Sequence, residues 1–122
     1  MPTTIRVINA RDFVRATPEG WLDFTTSELL LLSVGRAAAL LGDYDILLDT
    51  RKAKSVLTPF DVWHLARELA IHRGALGRKN AVLCPRERFD HAEFFALCAQ
   101  DRGLPVRAFV VFEEAIEWLL AA

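Results

Sequence analysis

Three short strand-like runs, each separated from the next by a segment of helical period, limit the folds open to this chain more than any other feature. They are Asp45-Ile46-Leu47-Leu48-Asp49, Asn80-Ala81-Val82-Leu83-Cys84 and Val106-Arg107-Ala108-Phe109-Val110. The first two are apolar without alternation, the pattern of a strand buried on both faces. Strands that alternate with helices require right-handed crossovers and a mostly parallel sheet covered by helices.

The segments between and around these runs supply the remaining elements. Thr4 to Ile8 alternates apolar and polar residues and reads as a half-buried strand. After a turn at 9–12, Phe13 to Thr17 reads as a second strand, close enough to pair antiparallel with the first. Pro18-Glu19-Gly20 breaks the pattern. A helix follows from about Asp23 to Leu41, ended by Gly42, with an apolar face of Leu29, Leu30, Leu32, Val34, Ala37, Ala38 and Leu41. Thr25 and Glu28 have capping-box spacing, and Asp23 competes as the N-cap.

Residues 51–57 read as a basic loop. Thr58-Pro59 then pairs an N-cap residue with a proline at the first helical position. Val62, Leu65, Ala66 and Leu69 recur at helical spacing, with Leu76 extending the stripe and Gly74 and Gly77 closing the helix. A helix near 89–102 sets Phe94, Leu97 and Cys98 on one side and stops at Gly103. The last helix, Phe112 to Leu120, opens with acids and turns Ala115, Ile116, Leu119 and Leu120 inward. The predicted order is ββαβαβαβα over a single domain spanning 1–122.

Bulk composition agrees with one such domain. A chain of 122 residues, 52% hydrophobic and 25% charged, buries a substantial core and is not disordered. The formal charge of −1 argues against a nucleic-acid partner. Positive charge is nevertheless concentrated, since residues 51–88 hold nine Lys and Arg against three acids. The first nine residues are too short and polar for a signal peptide, and no apolar run approaches the roughly 20 residues of a membrane span. The expectation is a cytoplasmic chain whose Cys84 and Cys98 are buried free thiols.

The element order and several local sequences together resemble the STAS fold of anti-sigma-factor antagonists, and more closely its SpoIIAA-like branch of small bacterial proteins. The residues carrying the resemblance are the opening hairpin leading to Gly20, the strand end Ile46-Leu47-Leu48-Asp49-Thr50-Arg51, and Ala81-Val82-Leu83-Cys84. The tail Val106-Arg107-Ala108-Phe109, then Glu113-Glu114-Ala115-Ile116-Glu117-Trp118-Leu119, completes it. Nearly the whole chain is covered. The resemblance implies a binding or regulatory module, with a small lipophilic molecule as the proposed ligand of the branch. Phosphorylatable STAS regulators carry an Asp-Ser-Ser/Thr-Gly-like signature where this chain reads Ser55-Val56-Leu57-Thr58-Pro59-Phe60-Asp61. Thr58 stands near the right place, but its flanking residues differ, which counts against kinase-driven partner switching.

No set of residues has the pattern of a catalytic site. There is no Gly-x-Ser-x-Gly elbow, and Gly74-Ala75-Leu76-Gly77-Arg78-Lys79 follows a helix and precedes a strand, the reverse of a phosphate-binding loop. His64 and His72 stand eight residues apart on one helix, about 12 Å of rise, too far to share a metal. His91 has no second His or Cys at a ligand spacing, so neither metal nor cofactor is expected. Cys84, at a strand end before a helix, is read as packing rather than as a reactive thiol.

Open α/β sheets bind ligands at the carboxyl ends of their strands. Here those ends bring together Arg51, Lys52, Lys54, Arg86 and Arg88, while Arg73, Arg78 and Lys79 fall at the opposite end. The candidate ligand site is therefore Asp49, Thr50, Arg51, Lys52, Thr58 and Arg86, suited to a small anionic or lipophilic molecule. The alternative is ordinary solvated loops, with Arg51 or Arg86 pairing Asp49. Trp63 lies off its helix stripe and in line with Arg67. It either widens the core or anchors a protein partner, including a second copy of the chain in a homodimer.

Overall fold

A computed structural model describes residues 13–40, 44–71 and 79–121, together with the backbone of 3–8. The expected turn at 9–12, Leu41, Gly42, His72, Arg73, Gly74, Leu76, Gly77 and Arg78 lie outside the described residues. The strands are β1 (Thr3–Ile8), β2 (Phe13–Pro18), β3 (Gly20–Leu22), β4 (Asp45–Asp49), β5 (Ala53–Ser55), β6 (Asn80–Leu83) and β7 (Val106–Phe109). The helices are α1 (Phe24–Leu40), α2 (Pro59–Ile71), α3 (Phe89–Asp101) and α4 (Phe112–Leu120), with a 3-10 turn at Arg86–Arg88 before α3.

Five strands form one sheet in the order β1-β2-β4-β6-β7. The opening pair is antiparallel, with Thr4 opposite Thr17 and Ile5 opposite Ala16. The pairs β2–β4, β4–β6 and β6–β7 are parallel. Each parallel step thus moves one strand outward in the same direction. Right-handed crossovers that advance the same way all pass over the same face of the sheet. Accordingly α1, α2 and α3 pack with Val14, Ala16, Ile46, Leu48, Val82 and Val106 in one core. The final helix follows the last strand without crossing to another. It covers the opposite face, where Ala115 and Leu119 pack with Phe13, Leu47, Ala81, Leu83 and Phe109.

The sequence reading missed one element. β3 and β5 pair in parallel as a separate two-stranded sheet, Gly20 opposite Ala53 and Leu22 opposite Ser55. At three residues each, they are too short to show a period. Gly20 has φ +84, which turns the chain out of β2 after Pro18 in a conformation that glycine adopts without strain.

Helix termini and faces also needed revision. Asp23 caps α1: its Oδ1 accepts from the Thr26 amide at 2.8 Å, while its own amide donates to Thr26 Oγ1 at 3.0 Å. The reciprocal pair is therefore Asp23 and Thr26, two residues earlier than Thr25 and Glu28. On α2 the capping reading holds. The Asp61 amide donates to Thr58 Oγ1 at 3.1 Å and the Thr58 amide donates to Asp61 Oδ2 at 2.9 Å, with Pro59 opening the helix. The α2 stripe Val62, Leu65, Ala66 and Leu69 is buried as read. On α3, however, the buried residues are Ala96 and Ala99, with Phe95 and Cys98 partly buried against the core, while Phe94 and Leu97 are exposed. The small side chains face inward because α2 and α3 pack against each other over the sheet, and alanine permits the closer approach. Gly103, at φ +82, ends α3 as expected.

Candidate functional site

Period-two alternation decides what the strand ends can build. On β4, Ile46 and Leu48 face the three-helix side, Leu47 faces α4, and the next two residues separate in the same way. Thr50 lines a cavity on the three-helix side, whereas Asp49 joins a cluster of arginines and Phe112. The six residues expected at one crevice are thus divided.

Asp49 is 2% exposed. Its carboxylate accepts from Arg15 Nη2 at 2.9 Å, from Arg51 Nε and Nη2 at 2.9 Å each, and from the Arg51 amide at 3.1 Å. Burial pushes this carboxyl up, but the hydrogen bonds from Arg51 and Arg15 outweigh it and hold the group below the ordinary 3.8. Both guanidiniums also stand over the Phe112 ring, at 5.3 Å for Arg15 and 5.9 Å for Arg51. Arg51 is therefore committed to Asp49 and the start of α4, while Arg15 ties β2 to the end of β4. Lys52 and Arg86 are exposed in their turns, and exposed Thr58 serves as the α2 cap.

The cavity has a volume of about 100 Å³ and opens at the carboxyl ends of β4 and β6. Leu48 and Val82 form its floor. Leu22, Ser27 and Leu31 close one side, Leu57, Val62 and Leu65 a second, and Ala92 with Phe95 a third. The missed β3–β5 pair matters here, since Leu22 and Ser55 of that small sheet line the cavity.

The lining is mainly apolar, and most of its polar atoms are already engaged. Thr50 Oγ1 donates to the Leu83 carbonyl at 3.0 Å, and Ser55 Oγ accepts from the Leu57 amide at 3.1 Å. Cys84 is 2% exposed, with Sγ 3.5 Å from the Phe109 carbonyl. Burial pushes its thiol up to about 11, against a smaller lowering by Arg88, so it stays protonated at neutral pH. Ser27 is the exception: it is 4% exposed and its hydroxyl has no hydrogen-bond partner among the described residues. Arg88 and His91 also line the cavity, and Arg88 Nη2 donates to the Thr50 carbonyl at 2.7 Å.

Sequence reasoning placed Arg88 at this end of the sheet but missed Ser27 and His91. Ser27 sits in the polar stretch Thr25-Thr26-Ser27-Glu28 at the start of α1 and carries no motif. His91 lies three residues beyond Arg88 at the start of α3, a spacing that puts the two on neighbouring positions of a helix. Trp63 lies elsewhere, 37% exposed on α2. Its ring has Arg67 at 5.9 Å and Arg102 at 5.4 Å and stacks with Phe60 at 5.9 Å. Among the described residues no group of His, Cys, Asp and Glu is arranged to hold a metal, and no helix is long and apolar enough to cross a membrane.

Comparison with known proteins bears on the fold. The structure superimposes on the crystal structure of an uncharacterized protein of the DUF3478 family, with a SpoIIAA-like fold, from Shewanella loihica PV-4. The TM-score is 0.57 at 17% identity, over 97% of this chain and 92% of that one. The chain has a SpoIIAA-like fold. That agrees with the mixed sheet and four helices read from the sequence. No family model matches the chain, and no curated protein does.

Proposed function

We propose that this SpoIIAA-like chain is a non-enzymatic binding module whose cavity takes a small molecule, or the end of one, with an apolar part of about four carbons. The observation that carries the reading is the cavity itself: an apolar hollow at the carboxyl ends of β4 and β6, walled by residues of α1, α2 and α3.

Size sets the ligand class. An apolar cavity of about 150 Å³ holds a benzene ring, so 100 Å³ suits a shorter chain. Burying four carbons contributes roughly 3 kcal/mol, which alone gives affinity weaker than millimolar. Tighter binding therefore requires polar contacts at the rim. Catalysis is less well supported, because the nucleophile on the wall, Cys84, is held protonated by burial.

Saturation-transfer NMR with pentan-1-ol tests this reading. The alkyl protons should receive saturation from the wild-type protein, and Ala92→Phe or Leu57→Trp, which push bulk into the cavity, should abolish the transfer. Transfer unaffected by both substitutions, or absent from the wild type, would refute it.

A second reading has its own observation. Phe60 is 67% exposed beside Trp63, and Arg67 and Arg102 flank the indole, an arrangement common at protein contacts. In that reading a second copy of the chain covers this face of α2. Light scattering should then show a dimer that Trp63→Glu converts to monomer, and a wild-type monomer at high concentration would dismiss it.

A further inference from the structure

We infer that the cavity's ligand is a short-chain carboxylate, its alkyl tail on Leu48 and Val82 and its carboxylate received by Arg88 and His91. The inference rests on the binding reading above and goes beyond it by assigning the polar end.

The arginines of this molecule are not equivalent. Arg15 and Arg51 point their charge at Asp49. Arg88 has no acidic partner among the described residues. Its hydrogen bond to the Thr50 carbonyl uses one terminal nitrogen and pins the half-buried guanidinium at the cavity wall. The other N–H groups have no protein acceptor among the described residues. A fixed guanidinium with unused N–H groups is pre-organised for a planar oxyanion, because little rotamer freedom remains to be lost on binding.

The rest of the lining agrees in sign. No Asp or Glu lines the cavity, and the side chains there able to carry positive charge are Arg88 and His91. His91, in the first turn of α3, offers a ring N–H in either protonation state. One permanent positive charge matches one negative charge. A dianionic phosphate monoester would bring a second charge for which the wall has no fixed counterpart. The floor and walls exclude a wholly polar anion, since Leu48, Val82, Leu65 and Phe95 offer it no hydrogen bonds.

Amide-detected NMR titrations with pentanoate, pentan-1-ol and butyl phosphate, at one pH and ionic strength, test the assignment. Pentanoate should bind the wild type at least tenfold more tightly than pentan-1-ol and than butyl phosphate. Arg88→Gln should remove that advantage while leaving pentan-1-ol within twofold, and Arg88→Lys should keep part of it. Equal affinity for acid and alcohol, tighter binding of the phosphate, or pentanoate binding indifferent to Arg88→Gln overturns the carboxylate and leaves the binding module standing. If neither pentanoate nor pentan-1-ol binds, the module itself fails. Should Arg88→Gln melt early, the wild-type preference among the three probes still decides.

Discussion

At residue scale, Asp49 and Thr50 are neighbours in sequence and strangers in space. Their side chains leave the sheet on opposite faces, one into an ion-paired cluster and the other onto the cavity wall. The sequence held the information needed to separate them, since a strand alternates with period two, but a cluster of polar residues after an apolar run invites reading as one site. Asp49 is better understood as a tie. Asp49→Asn leaves Arg15 and Arg51 short of their counter-charge and should lower unfolding free energy by about 2 kcal/mol, because both guanidiniums keep some solvent. Urea unfolding measures it.

The pH dependence has a definite sign. The carboxyl is held below its ordinary 3.8 in the fold, so its contribution is present above that value and fades as pH falls through the folded one. The gap between wild type and Asp49→Asn should therefore be full at pH 7 and should narrow below about pH 4. A gap of constant size down to pH 2 would contradict the assignment. Thr58 was legible as a cap, and Thr58→Ala should cost about 1 kcal/mol in the same assay without altering ligand binding.

At element scale, buried strands and capped helices were legible, as was much of the α1 face through Leu30, Val34 and Ala38, while short pairings and the inner face of α3 were not. Leu29 and Leu97 belong to apolar runs yet are 60% and 54% exposed, because the faces are chosen by the neighbouring helix rather than by hydrophobicity alone. On α3 the choice fell on alanines. Ala99 is fully buried where α3 meets the core. Ala99→Leu should force the helix outward and lower the melting midpoint, with a loss of roughly 1–3 kcal/mol. Leu97→Ala, on the exposed side, should change stability little. Equal effects would mean that the facing of α3 has been misassigned. The β3–β5 pair escaped notice for a different reason: Gly20 and Trp21 are exposed, and its two halves lie more than thirty residues apart.

At the scale of the whole molecule, one topological fact sets where the cavity lies. Successive one-strand steps send α1, α2 and α3 over the same face, and the cavity lies among them at the carboxyl end of the sheet. The opposite face, with α4 laid on it, is closed by Phe109, Trp118 and the Asp49 cluster. At the other end, Lys79 Nζ donates to the Trp118 carbonyl at 2.9 Å and the Ala121 carbonyl at 2.6 Å, stabilising the α4 terminus. The basic residues read as one segment therefore do three jobs: Arg51 pairs with Asp49, Lys79 caps a helix, and Arg88 lines the cavity. The order of the main-sheet strands and the four helices could be read from the sequence. Which face held the cavity could not, because that depends on how three helices share one side.

The central claim is that small amphiphiles enter between α1, α2 and α3, and a backbone amide map of pentanoate binding tests it most directly. Shifts should concentrate at Leu22, Ser27, Thr50, Val82 and Ala92 and saturate together along one binding curve. Shifts centred instead on Asp49 and Arg51, or on Trp63, would place the ligand on another surface and contradict the account.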